Sequence, residues 1–129
     1  MKFLILISLL LFSGDLLAIT KGQALCMKAA VKSGQSFNTA KARCKGLKEG
    51  QVLCMKAGAA SDYSPNTSKV RCEGVTVGQA LCMMVGVKNK HSFNTLKVRC
   101  EGVSEAQALC MEAGIDSGYS FTTSKARCN

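Results

Sequence analysis

Sulfur is the most regularly placed reactive element in this sequence. Cys26, Cys54, Cys82 and Cys110 follow one another at intervals of 28 residues, and Cys44, Cys72, Cys100 and Cys128 repeat the interval. Met27, Met55, Met83 and Met111 directly follow the first series, and Met84 adds another sulfur. Two chemistries compete for such a set. Thiolates and thioethers together make soft sites suited to Cu(I). An even number of thiols in a short chain instead makes disulfides where the compartment is oxidising. Neighbouring residues on a helix point about 100° apart, so Cys26 and Met27 do not converge on one ion. No C-x-x-C and no His/Cys zinc spacing occurs. Disulfides are therefore expected, and neither a metal nor another cofactor is.

Repeat symmetry leaves two simple pairings. Within units they are Cys26–Cys44, Cys54–Cys72, Cys82–Cys100 and Cys110–Cys128, with none left over. Across units they are Cys44–Cys54 and its equivalents, which strand Cys26 and Cys128. The within-unit scheme is the expectation. Each such link closes a loop of about 19 residues and stabilises by roughly 3 kcal/mol on a chain-entropy argument.

The second recurring chemistry is positive charge. Lys41, Lys69, Lys97 and Lys125 repeat in register, as do Arg43, Arg71, Arg99 and Arg127 just before the second cysteine. These eight residues are candidate binding residues, because a ladder of cations attracts phosphates, acidic glycans or an anionic membrane surface. The competing reading is that bases in the last turn of a helix complement its dipole and keep it soluble. The net charge of +9 is also uneven. Residues 19–46 carry Lys21, Lys28, Lys32, Lys41, Arg43 and Lys45 with no acidic residue, whereas Glu105, Glu112 and Asp116 outnumber the bases of 103–129. His91 is the single histidine, and no acidic pair recurs across the units. No catalytic constellation is visible, so the chain is not expected to be an enzyme.

The elements that place these residues follow from the same register. Gln23, Gln51, Gln79 and Gln107 align, and so do Ser36, Ser64, Ser92 and Ser120. Each unit reads as two short helices. Thr20, Thr76 and Ser104 stand three residues before Gln23, Gln79 and Gln107, the pattern of a capping box. Lys48 fills that place in the second unit, where a weaker cap is expected. Ile19, Leu47, Val75 and Val103 precede the caps as possible staples. Gly58, Gly86 and Gly114 are expected to stop the first helix as C′ residues, with Ala30 a poor substitute in the first unit. The second helix starts after the aligned serines. Ser64-Pro65 gives an N-cap followed by proline at N1, where the missing N–H costs nothing. Phe37, Ala40, Cys44 and Leu47 keep a helical spacing, and Gly46, Gly74 and Gly102 end the segment. Leu25, Cys26, Ala29, Phe37, Ala40 and Cys44 are the expected core of the first unit, with the aligned methionines as filler. Helices this short are not stable alone in water, so each unit needs its cross-link and its neighbours.

Residues 1–18 read as a signal peptide: Lys2, then an apolar run from Phe3 to Phe12, then Ala18 at the cut. The run is too short to span a bilayer. Of the 129 residues, 47% are hydrophobic, 19% charged and one is proline, which argues against a disordered tail. The expected fold is all-α: four tandem 28-residue helix-turn-helix repeats at 19–46, 47–74, 75–102 and 103–129, a short α-solenoid stapled by disulfides. This plan resembles the helix-pair solenoids, especially cysteine-rich secreted helical repeats in which a disulfide ties the two helices of each unit. The resemblance rests on the Cys-x17-Cys spacing and implies architecture only, since the period is shorter than theirs and their signature residues are absent. A secreted or periplasmic binding module for a protein or an acidic polymer is the expected function. The alternative is a small cationic effector, antimicrobial or toxin-like, acting at anionic membranes. The export segment argues against nucleic acid as a partner.

Overall fold

A computed structural model describes residues 19–129; the expected signal peptide lies outside the described residues. Eight helices occur among them: α1 (Lys21–Lys32), α2 (Phe37–Cys44), α3 (Glu49–Ala60), α4 (Pro65–Arg71), α5 (Val77–Lys88), α6 (Phe93–Arg99), α7 (Glu105–Asp116) and α8 (Phe121–Arg127). The fold is all-α, with one helix pair in each 28-residue period. The odd-numbered helices stack side by side, α1 on α3, α3 on α5 and α5 on α7. Each even-numbered helix packs on the first helix of its own pair. Disulfides Cys26–Cys44, Cys54–Cys72, Cys82–Cys100 and Cys110–Cys128 clamp the two helices of every pair, with Cα–Cα distances of 5.6–5.8 Å.

The caps explain where the second helices start. Ser36, Ser64, Ser92 and Ser120 each accept the N–H of the threonine three residues on, and each also donates its hydroxyl to that threonine's Oγ1 at 2.7–3.0 Å. Pro65 sits in the first turn of α4. Gly46, Gly74 and Gly102 follow these helices at φ +79°, +75° and +75°, a conformation that favours glycine.

The first helices end one turn later than the glycines suggest. Gly58, Gly86 and Gly114 lie inside α3, α5 and α7, and the left-handed residues are Gly34, Asp62, Lys90 and Gly118. Every first helix closes in a Schellman motif. The amides of Gln35, Tyr63, His91 and Tyr119 reach back to the carbonyls of Ala30, Gly58, Gly86 and Gly114 at 3.0–3.1 Å. These helical glycines, two buried and Gly114 half-buried, answer a packing need instead. A Cβ on Gly114 would stand 2.6 Å from Ser124 Oγ, and one on Gly86 would strike Leu96.

The capping box is complete in one pair only. Thr20, Thr76 and Ser104 do accept the N–H three residues on, and Lys48 makes no side-chain cap. Only Gln107, however, returns the bond, to Ser104 N at 2.9 Å. Gln23, Gln51 and Gln79 donate to the carbonyls of Lys41, Lys69 and Lys97 at 3.4, 3.0 and 2.9 Å. Those carbonyls fall in the last turn of a second helix and have no partner along it. The glutamines thus tie the two helices of a pair alongside the disulfide.

Stacking between pairs is close at the backbone. Gly22, Gly50 and Gly78 are second in α1, α3 and α5, where the start of the next pair crosses. A Cβ would stand 2.5 Å from Glu49 N at Gly22, 2.6 Å from Thr76 C at Gly50 and 2.5 Å from Ser104 C at Gly78. Leu47, Val75 and Val103, at those crossings, are buried, but Ile19, with no pair before it among the described residues, is exposed. One core runs from Cys54 through Met83, Phe93 and Leu96 to Met111 and Phe121. The first pair keeps a separate small cluster of Met27, Ala40 and Cys44. Leu25, Ala29 and Phe37 do not join it. Phe37 is 62% exposed, because the equivalent rings Phe93 and Phe121 are covered by Tyr63 and His91 of the preceding pair and Phe37 has none.

Candidate functional site

The eight ladder residues do not form one uniform face. Their positions in the last turn of each second helix are set by the serine caps and the following glycines, but their surroundings differ from pair to pair.

Arg71 and Arg99 join neighbouring pairs. The Arg71 guanidinium lies 4.9 Å from the centre of the Tyr63 ring and donates to Asn94 Oδ1 at 2.5 Å. The Arg99 guanidinium lies 5.1 Å from the Phe121 ring and donates to Thr122 Oγ1 at 2.8 Å. Lys125 donates to the Arg99 carbonyl, and Arg127 stacks on Tyr119 at 4.4 Å. A guanidinium over an aromatic face is favourable by about 0.5–1 kcal/mol at an exposed site. These residues therefore do structural work. Lys97 is half-buried beside them.

Lys41, Arg43 and Lys69 differ. All three are exposed, and among the described residues their side chains enter no hydrogen bond, ion pair or ring contact. Arg43 stands eight residues after Gln35, where Arg71 and Arg127 have Tyr63 and Tyr119. No ring stands at that place, and its guanidinium donates no hydrogen bond among the described residues. The first pair adds exposed Lys28, Lys32 and Lys45. Lys21, Lys28 and Lys32 share one side of α1 by their spacing, with Lys21 paired to Glu49 at 3.0 Å. Free positive charge is thus concentrated in the first pair. Val70 and Val98, each 67% exposed, alternate with the ladder residues of α4 and α6 and give the middle of that surface an apolar component.

The residue types advertised eight equivalent cations; the arginine–aromatic contacts that divide them were not read from the sequence. The signal that was available is the interval of eight residues from Tyr63 to Arg71 and from Tyr119 to Arg127. Other chemistry is accounted for. Every cysteine is oxidised, so the soft-metal alternative has no thiolate to use. His91 packs its ring 5.0 Å from that of Phe121 and lines a shallow depression with Tyr63 and Phe93. Ser92 in the same depression is occupied in capping α6. Four disulfides fit an oxidising environment, and no described helix is long and apolar enough to cross a membrane.

Comparison with protein-family models, with curated proteins and with solved structures returned no match.

Proposed function

We propose that this protein is an exported, non-enzymatic binding module whose first helix pair engages an acidic polymer or an acidic protein surface. Residues 1–18 direct export and are removed, and the disulfide-stapled array works outside the cytoplasm, secreted or periplasmic. The observation that carries the reading is the division of the basic ladder. Arg71, Arg99, Lys125 and Arg127 are engaged within the fold, whereas Lys41 and Arg43 are exposed and unengaged among four further lysines of the same pair. A rigid array then presents this charge without the ordering cost that a flexible basic tail incurs.

Binding to a sulfated polysaccharide, followed by titration calorimetry across a salt series, tests the reading. Affinity is expected to fall as salt rises, and Lys41→Ser with Arg43→Ser and Lys45→Ser is expected to weaken it at least tenfold. Equal affinity of the triple variant and the parent would refute it.

A second reading has its own support. Ile19, Val31 and Phe37 are exposed apolar side chains in the most basic pair, the combination that interfacial membrane binders use. Dye release from anionic but not neutral vesicles at micromolar protein would favour an effector acting at membranes, and no release from either would remove it.

A further inference from the structure

The two ends of the array carry opposite halves of the pair-on-pair junction that the interior makes three times. We propose that these ends are complementary to one another, so that the partner fitted to the last helix pair is the first pair of a second copy, and that Ala106 is the residue that keeps the copies apart.

Tyr63 meets Phe93 edge-on, with ring centres 5.1 Å apart, across the junction of the second and third pairs. One period beyond the last pair, Tyr119 stands in the place of Tyr63 and Phe37 of a following copy in the place of Phe93. Both are exposed, at 43% and 62%. Arg71 donates to Asn94 across the same junction; Arg127 and Asn38 are the corresponding residues and are the same types. Lys21 and Glu49 form an ion pair between the first helices of adjacent pairs. At the end junction the equivalent residues are Glu105 and Lys21, the same ion pair with its direction reversed. Net charge agrees: the first pair is wholly basic, and acidic residues outnumber basic ones in the last. Leu109, 55% exposed where Leu25, Leu53 and Leu81 are half-buried, lacks the cover that a next pair provides.

One position disagrees. Gly22, Gly50 and Gly78 let the next pair's backbone pass where a Cβ would stand. The fourth residue of that column is Ala106, which is exposed. Its methyl occupies the path that the Ile19 carbonyl and Thr20 of a following copy would take. The chain thus has matching ends and a block against joining them. A head-to-tail contact of this kind is not self-complementary, so removing the block leads to assembly that grows past two copies rather than to a two-fold dimer.

The test is sedimentation equilibrium of the exported protein beginning at Ile19, with intact mass fixing the first residue independently of the assembly result. Ala106→Gly is expected to give a mass that rises with concentration past two copies, while the parent stays at one copy over the same range. Circular dichroism of the two, expected to superimpose, excludes unfolding as the source of the mass. Phe37→Asp added to Ala106→Gly is expected to return the mass to one copy. Identical masses for parent and Ala106→Gly at every concentration would overturn the proposal, and so would assembly that survives Phe37→Asp.

Discussion

The first and third helix pairs align position by position and yet differ in what holds them. The third has neighbours on both sides. Cys82, Met83, Leu96 and Cys100 are fully buried, and Phe93 is capped by Tyr63 from the pair before. Among the described residues the first has a neighbour on one side only. Ala40 stands where the third has Leu96, its cluster is confined to Met27, Ala40 and Cys44, and Phe37 stands in solvent. The same template therefore gives a core position in one pair and a surface position in the other, and the deciding variable is the adjacent pair. In a stacked array, stability is approximately a sum of pair and junction contributions. The ends, relieved of one junction, are where surface chemistry becomes available.

Thiol access should separate the two regions most sharply. Cys54, Cys72, Cys82 and Cys100 are buried, whereas Cys110 is exposed and Cys128 half-buried. Under limiting reductant at native conditions, Cys110–Cys128 is expected to open first and the two interior links last, because exchange needs attack on an accessible sulfur. Alkylation with peptide mass mapping would read the order, and simultaneous opening would show that the end and interior links are equally accessible. Phe93→Ala is expected to cost about 3–5 kcal/mol, but Phe37→Ala less than about 0.5 kcal/mol. Urea unfolding of the two variants checks this, and similar losses would mean that Phe37 is covered in solution.

Junction glycines give the next effect. Gly78→Ala is expected to destabilise by about 1–3 kcal/mol through overpacking against Val103 and Ser104. A neutral result would show that the junction can shift to accept a methyl. The smallest effect is a gain. Lys90 holds φ +64° at the stop of α5, where the first and last pairs have glycine. Lys90→Gly is expected to stabilise by about 1 kcal/mol, while the same exchange at Lys88, inside the helix, is expected to lose about that much.

Much of this architecture was legible because it is local or symmetric. The serine caps, Ser64-Pro65 and the stops at Gly46, Gly74 and Gly102 involve residues within one turn of each other. The disulfide pairing followed from having nothing left over. Misreadings arose where a residue type serves two purposes. Gly58, Gly86 and Gly114 looked like left-handed stops, and are close-packing residues opposite Ser68, Leu96 and Ser124. The true stops in the middle pairs are Asp62, a type that enters the left-handed region more readily than most, and Lys90, a type that does not advertise positive φ. Gln23 and Gln79 matched a capping box, but a carbonyl 18 residues away competes for the same amide. The ladder failed in the same way. Spacing showed that Arg43, Arg71, Arg99 and Arg127 are equivalent in sequence, but not that rings stack on the last three.

The within-pair disulfides also bear on how the chain acquires its cross-links. The correct partner of each first cysteine is always the next cysteine in the sequence, 18 residues on. A chain that enters an oxidising compartment N-terminus first therefore presents Cys26 with Cys44 before any competitor has arrived, and the pattern recurs at each later pair. Where each link forms as its second cysteine emerges, emergence order favours the native connectivity. Adding another 28-residue unit at the C-terminus leaves every earlier choice unchanged.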